Sequence, residues 1–255
     1  MAEVSLVLAC SHSGFLYSDP AQWHETRARR SQRANVPVDS VEENLAKFER
    51  CMQAFATLKS KLEAARPDVL LVFGDDQDEL FHFDNLPAFG LYLGDEFSAP
   101  PRRGDGAPQG ATGAGGIHID ARVKGCPPLA RELLEGLMNG GFDLAFSTEM
   151  PEGARGMGHA FLRPGYYLTP GYPIPMIPCF INCYYAPQPR AERCFELGRA
   201  VRQIIDDSEL DMRVAVIGSG GLWHTPGAPE SYLDEQFDRT ILQALETGKG
   251  RAAAV

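Results

Sequence analysis

Short runs of uninterrupted apolar residues alternate along this chain with longer stretches in which apolar residues recur every three or four positions. Runs of the first kind are Val4–Cys10, broken only by Ser5, and Val69–Phe73, and they predict buried strands; Phe142–Phe146 and Arg213–Ile217 read as two further short strands. Ile174–Asn182 is a further apolar run. Pro175 and Pro178 punctuate it, which predicts an edge or bulged strand. Runs of the second kind predict helices. Val41–Ala65 places Leu45, Phe48, Met52, Phe55, Leu58 and Leu62 at helical spacing, and Pro67 closes it. Pro127–Asn139 carries its prolines in the first turn, where their missing N–H costs nothing. Pro189–Asp207 and Glu230–Thr247 are the remaining two helices. Ser98–Gly116 is rich in Gly, Pro and Arg without apolar periodicity and reads as a mobile surface loop. Gly153–Gly171 reads as loop too, with His159 inside it.

Strands that alternate with helices predict an α/β fold: a single domain over residues 1–255, with a mainly parallel central sheet and helices on both faces. Ligands of such sheets bind at the carboxyl ends of the strands. Three predicted strands end in polar clusters, at Ser11-His12, at Asp75-Asp76-Gln77 and at Gly220–His224. One crevice could collect all three.

Composition narrows the partners. Net charge is -10, which argues against nucleic acid and anionic membrane, since both need a basic face. The run Val4–Cys10 is too short to span a bilayer and lacks the basic start of a signal peptide, so the cytoplasm is the expected location. The six cysteines include no Cys-x-x-Cys pair and read as reduced thiols, mostly in the core.

Six histidines are present. His12 directly follows one strand, and His224 follows another after a glycine-rich turn, positions suited to a metal ligand or an acid/base. A surface or capping histidine is the ordinary alternative at either place. Asp75, Asp76 and Glu79 cluster with Gln77 at a strand end, an oxygen-rich group of the kind that Mg, Mn or Fe(II) takes. The same cluster reads equally well as a solvated loop in which an aspartate caps a turn. Gly218-Ser219-Gly220-Gly221 has neither Walker nor nucleophile-elbow spacing, so a phosphate- or ester-directed hydrolase is a weaker reading.

Five blocks then resemble, in order, the LigB-type (class III) extradiol dioxygenases, and within them the branch of 3-O-methylgallate and protocatechuate 4,5-dioxygenase β-like proteins. They are Ser11-His12-Ser13 with Trp23-His24; Gly74–Phe81 with Asp84–Phe89; Met157–Phe161; Pro175–Asn182 with Arg193–Ala200; and Gly218–His224 with Leu233–Arg239. The resemblance implies Fe(II) held by two histidines and a carboxylate. It implies that His12 is a metal ligand, that His224 is the catalytic acid/base, and that His159 is a second catalytic histidine that also binds substrate. Gln77 stands where the family usually has its second histidine ligand, so Gln77 or Glu79 is expected to serve there. The family's carboxylate lies in a Ser-Glu-Ile segment past the position of His224, and the sequence stops at Val255 before such a segment. Either the sequence is shortened, or that ligand is lost, or Glu79 or Glu230 replaces it. The implied activity is O2-dependent cleavage of a catechol-type ring, gallate- or protocatechuate-like. Arg102, Arg103, Arg155 or Arg163 would pair with a substrate carboxylate, and a second copy of the chain or a small accessory subunit would be the protein partner. The alternative is a non-catalytic, metal-depleted binding or accessory member of the same fold.

Overall fold

The computed structural model describes residues 1–28, 33, 36–99, 117, 119–150, 156–223, 230 and 232–254. The expected loop after Ser98 falls largely outside these residues, as do His224 and the arginines 102, 103 and 155. The strands are β1 (Glu3–Cys10), β2 (Val69–Gly74), β3 (Phe89–Tyr92), β4 (Glu96–Ser98), β5 (Arg122–Lys124), β6 (Ala145–Ser147), β7 (Met176–Ile181) and β8 (Arg213–Ser219). The helices are α1 (Trp23–Ala28), α2 (Val41–Ala65), α3 (Pro127–Asn139), α4 (His159–Leu168), α5 (Ala191–Asp207), α6 (Glu235–Glu246) and α7 (Gly250–Ala253).

Six strands form the central sheet in the order β1-β8-β2-β7-β3-β6, and β4 and β5 make a separate antiparallel pair. Every pairing in the central sheet is parallel except β7 with β3. The expected mainly parallel sheet is therefore present. Side chains of β2 alternate between two cores, as a strand's two-residue period requires. Leu70 and Val72 pack with Phe55 and Leu62 of α2 and Phe161 of α4. Val69 and Leu71 pack on the other face with Leu129, Leu133 and Leu137 of α3 and Leu197 and Val201 of α5. Helices thus cover both faces.

Local signals explain the elements. Helix α2 opens on a capping box, in which Ser40 Oγ accepts from Glu43 N–H and the Glu43 carboxylate accepts from Ser40 N–H. It closes with Arg66 in the left-handed region at φ 47°. Strand β7 corrects the sequence reading, because it lies inside the sheet and not at an edge. The Leu70 N–H donates to Pro175 O, which turns odd positions of β7 toward β2 and even positions toward β3. Pro178 therefore lacks its donor only on the β3 side, where the register ends at Cys179. A second correction concerns His159, which opens a ten-residue helix and is not in a loop. The glycines and Pro164 suggested coil, yet the helix buries Ala160, Phe161, Leu162 and Leu168, and that burial outweighs weak propensity. The last long helix begins at Glu235 instead of Glu230.

Candidate functional site at the carboxyl end of the sheet

Strands β1, β8 and β2 are neighbours and run parallel, so their carboxyl ends open on one place. Cys10 lies opposite Ser219 in the β1–β8 register, and Gly220 N–H donates to Cys10 O at 3.0 Å. This sets His12, two residues past β1, beside Ser219. Asp75 follows directly on β2. The amino end of α4 comes close to β2 because Gly74 has no side chain: a Cβ there would sit 3.0 Å from Ala160 Cβ. His12, Ser219, Asp75 and His159 meet as a result.

Hydrogen bonds fix the protons of His12. Pro164 has no N–H, so Ala160 O, four residues earlier in α4, lacks the donor a regular helix would supply. Ser219 Oγ donates to that carbonyl at 2.5 Å. A hydroxyl has one proton, so Ser219 Oγ must accept at its 2.9 Å contact with His12 Nδ1. The proton of a neutral His12 is therefore on Nδ1, and Nε2 presents a bare lone pair. Nε2 faces Asp75 Oδ1 at 3.5 Å. Among the described residues that oxygen is buried without a hydrogen-bond partner. Burial, then the neighbouring His159 ring, pushes the His12 pKa down to about 4, against the pull of Asp75 in the other direction. His12 is thus neutral around pH 7, which is the form that ligates metals.

His159 is held from the other side. Its ring stands edge-on to His12, with centroids 4.8 Å apart. Glu79 Oε2 accepts from the His159 backbone N–H at 3.0 Å and lies 2.7 Å from Nδ1. The carboxylate so caps an α4 whose N-cap residue, Gly158, offers no side chain, and a negative group is favoured at a helix amino end. An ionised Glu79 accepts only, so His159 carries its proton on Nδ1 and leaves Nε2 free.

The acidic cluster divides its labour. Asp76 accepts from the backbone N–H groups of Glu79, Leu80 and Phe81 at 3.0–3.3 Å, which is the turn-capping alternative. Burial nevertheless raises its pKa. Gln77 Nε2 donates to Asp75 Oδ2 at 2.9 Å and so orients the Asp75 carboxylate. Among the described residues no three His, Cys, Asp or Glu side chains are grouped closely enough to hold a metal ion. His12 and Asp75 form a pair of donors, and Gln77 and Glu79 adjoin them through Asp75 and His159. Sequence reasoning saw Asp75 only as part of a cluster and missed Ser219 and Pro164 as supports. The signal for Asp75 was its place directly after a buried strand. No sequence signal pairs Pro164 with Ser219.

Comparison with known proteins adds the following. Residues 36–253 match the family described as catalytic LigB subunit of aromatic ring-opening dioxygenase. A 2,3-dihydroxyphenylpropionate/2,3-dihydroxicinnamic acid 1,2-dioxygenase of Photorhabdus laumondii is 30% identical over 179 residues, which is 70% of this chain and 50% of the relative. One of the same name from Escherichia coli is 31% identical over 177 residues, 69% of this chain and 49% of the relative. The chain spans about half the length of these relatives. An uncharacterized Escherichia coli K12 protein of known structure aligns with a TM-score of 0.46 at 18% identity, covering 76% of this chain and 65% of that one, a likeness too slight to argue from. No described helix is long and apolar enough to cross a membrane.

Proposed function

Because the chain belongs to the family of catalytic LigB subunits of aromatic ring-opening dioxygenases, we propose that the carboxyl end of its sheet is the Fe(II) and catechol site of an extradiol ring-cleaving dioxygenase. The observation that carries this reading is the facing pair of His12 Nε2 and Asp75 Oδ1. A bare imidazole nitrogen and an unsatisfied carboxylate oxygen, buried together at 3.5 Å, repel one another unless a cation satisfies both. Imidazole and carboxylate are the donor types that non-haem iron takes. His12 and Asp75 would hold the metal, with Gln77 or Glu79 as the further ligand that the family resemblance suggests.

When bound, Fe(II) would draw the two ring hydroxyls and O2 together and make a bound hydroxyl more acidic. The remaining work belongs to the chain. The Ser219 hydroxyl holds His12 in the Nδ1-protonated form, as the outer partners of a ligating histidine commonly do. Glu79 holds His159 through Nδ1, which leaves Nε2 to accept a hydrogen bond from a ring hydroxyl or to take its proton. His224 carries the second proton-transfer role. The relatives' names point to a catechol bearing an acidic side chain, and gallate and protocatechuate belong in the same test.

The test is iron content and O2 uptake of protein reconstituted anaerobically with Fe(II), supplied with 2,3-dihydroxyphenylpropionate, gallate, protocatechuate and unsubstituted catechol. Near-stoichiometric iron with substrate-dependent O2 uptake and a yellow ring-opened product is the expected result. No iron and no uptake would leave the metal-depleted accessory reading.

A further inference from the structure

We propose that Phe83 and Tyr185 form an outer subsite at the mouth of the crevice, which takes a second aromatic ring carried by the ligand, so that an aryl-substituted catechol is preferred over a bare one. This deepens the reading of the crevice as a catechol site and rests on it. The two residues belong to the loops that leave β2 and β7, neighbouring parallel strands whose register ends with Gly74 opposite Phe180. Asp75 follows directly on β2, and Asn182 follows directly on β7, so both loops start at the same end of the sheet. The first carries Asp75, Gln77 and Glu79 and then Phe83. The second reaches the same place. The Cys183 thiol is pushed up to about 12, first by burial and then by the charge of Asp75. The Tyr185 phenol is raised as well, by burial, then by Tyr184 and by the charges of Asp78, Asp76 and Asp75.

Core packing does not account for this pair of rings. Phe83 is 71% exposed, yet its ring meets the Tyr185 ring edge to face, with centroids 4.7 Å apart. Tyr184 continues the row, 4.8 Å from Tyr185. Both loops are braced. His82 O accepts from Asn85 N–H at 2.8 Å, which closes a turn around Phe83, and His82 Nδ1 lies 2.7 Å from Asp78 Oδ1. Asp78 itself takes the left-handed conformation at φ 61°, which a residue with a Cβ adopts only at a cost. On the other loop the Asn182 side chain ties the chain back on itself. Its Nδ2 donates to Tyr185 O at 2.7 Å and to Pro187 O at 3.3 Å, and its Oδ1 accepts from Tyr185 N–H at 3.0 Å. A single exposed phenylalanine would call for no explanation. Two rings from two braced loops, beside a site for an aromatic ring, are different. A further ring stacked there leaves water and gains aromatic contact without having to order the loops that receive it.

The probes are catechol, 2,3-dihydroxybiphenyl, 3-(2-phenylethyl)catechol and 3-cyclohexylcatechol, titrated calorimetrically into wild-type protein under anaerobic conditions, with and without Fe(II). The tighter of the two aryl compounds should bind at least about tenfold more tightly than catechol. It should also exceed the cyclohexyl compound, which has the bulk of a ring without its π face. In Phe83→Ala and in Tyr185→Ala the aryl-to-catechol ratio should fall to about one, whereas Phe83→Trp, which keeps a ring, should retain most of it. The readout is a ratio within one protein, so a general loss of affinity does not mimic it, and Phe83 is exposed, so its truncation leaves the core intact. A wild-type ratio near one, binding of no probe, a cyclohexyl compound as tight as the aryl ones, or a ratio that survives both alanine variants overturns the subsite. So does a Phe83→Ala protein that differs from wild type only in sedimentation, which would make the pair a contact for another copy of the chain. Oxygen uptake separates the two readings. Aryl-selective binding without uptake keeps the subsite and sinks ring cleavage, whereas uptake with catechol and no aryl preference sinks the subsite alone.

Discussion

At the scale of single residues, the site trades stability for a ligand. Asp75 Oδ1 and His12 Nε2 face each other as two acceptors with no proton between them. In Asp75→Asn the amide nitrogen can occupy that oxygen's place and donate to His12, while the amide oxygen keeps accepting from Gln77. The metal-free variant should be more stable than wild type by about 1 kcal/mol, one buried hydrogen bond gained. Its iron content should fall sharply, because an anionic ligand has become neutral. Urea midpoints and metal analysis on the same samples check this, and a destabilised variant would show that the pair is not in conflict. Ser219→Ala makes the complementary case. It leaves Ala160 O and His12 Nδ1 without their shared partner. A cost of about 1–3 kcal/mol should accompany weaker iron binding, and iron binding unchanged from wild type would remove Ser219 from the support of His12.

At the scale of elements, α4 decides the arrangement, because it brings His159, Arg163 and the Ala160 carbonyl to the strand ends. Two glycines permit its approach. Gly74 admits Ala160, and Gly158 admits the Glu79 carboxylate, whose Oε2 would lie 2.8 Å from an added Cβ. Gly158 has φ -58°, so Gly158→Ala acts by crowding and not by backbone strain. It should cost about 1–3 kcal/mol and displace Glu79 from His159. Gly220→Ala meets nothing within 4 Å among the described residues and has no positive φ, and should stay within about 0.5 kcal/mol of wild type. Thermal unfolding of the pair tests the contrast, and equal effects would mean that the α4 approach is loose. The same helix marks where the sequence stopped being readable. Strands β1, β2 and β8 and helices α2, α3 and α5 each announce themselves through a continuous or periodic apolar pattern, and the polar residues after the three strands locate the site. Helix α4 is short, holds Pro164 and follows a glycine, so local propensity argued against it and long-range burial decided. Likewise β3 has four residues and β4 and β5 have three each, too few for a pattern to register. Asp75 and Asp76 are adjacent and chemically identical, and only the tertiary structure assigns one to the site and the other to the turn.

At the scale of the whole molecule, the buried neutral histidine ties folding to pH. His12 has its pKa pushed down to about 4 in the folded protein, mainly by burial, whereas an unfolded histidine titrates near 6.5. Between those values the unfolded chain binds a proton that the folded chain refuses, so stability rises with pH across this window and is lost as pH falls from about 6.5 toward 4. From pH 7 to pH 5 the loss attributable to His12 is about 2 kcal/mol. Asp76 works in the opposite sense. Its raised pKa means that the folded state takes up a proton first on acidification, so stability from that group increases as pH falls through its folded value. The net acid sensitivity of the apoprotein therefore does not report His12 by itself, but a difference does. His12→Gln removes the titrating ring and leaves Asp76 in place. Its unfolding free energy, from urea titrations at half-unit steps between pH 5 and 7, should decline less steeply on acidification than that of wild type, by up to about 1.4 kcal/mol per pH unit near the middle of the window. Parallel curves for the two proteins would mean that His12 takes up its proton as readily in the folded chain as in the unfolded one. In that case burial does not hold His12 neutral, and the bare Nε2 facing Asp75, on which the metal assignment depends, would be protonated across the lower part of that pH window.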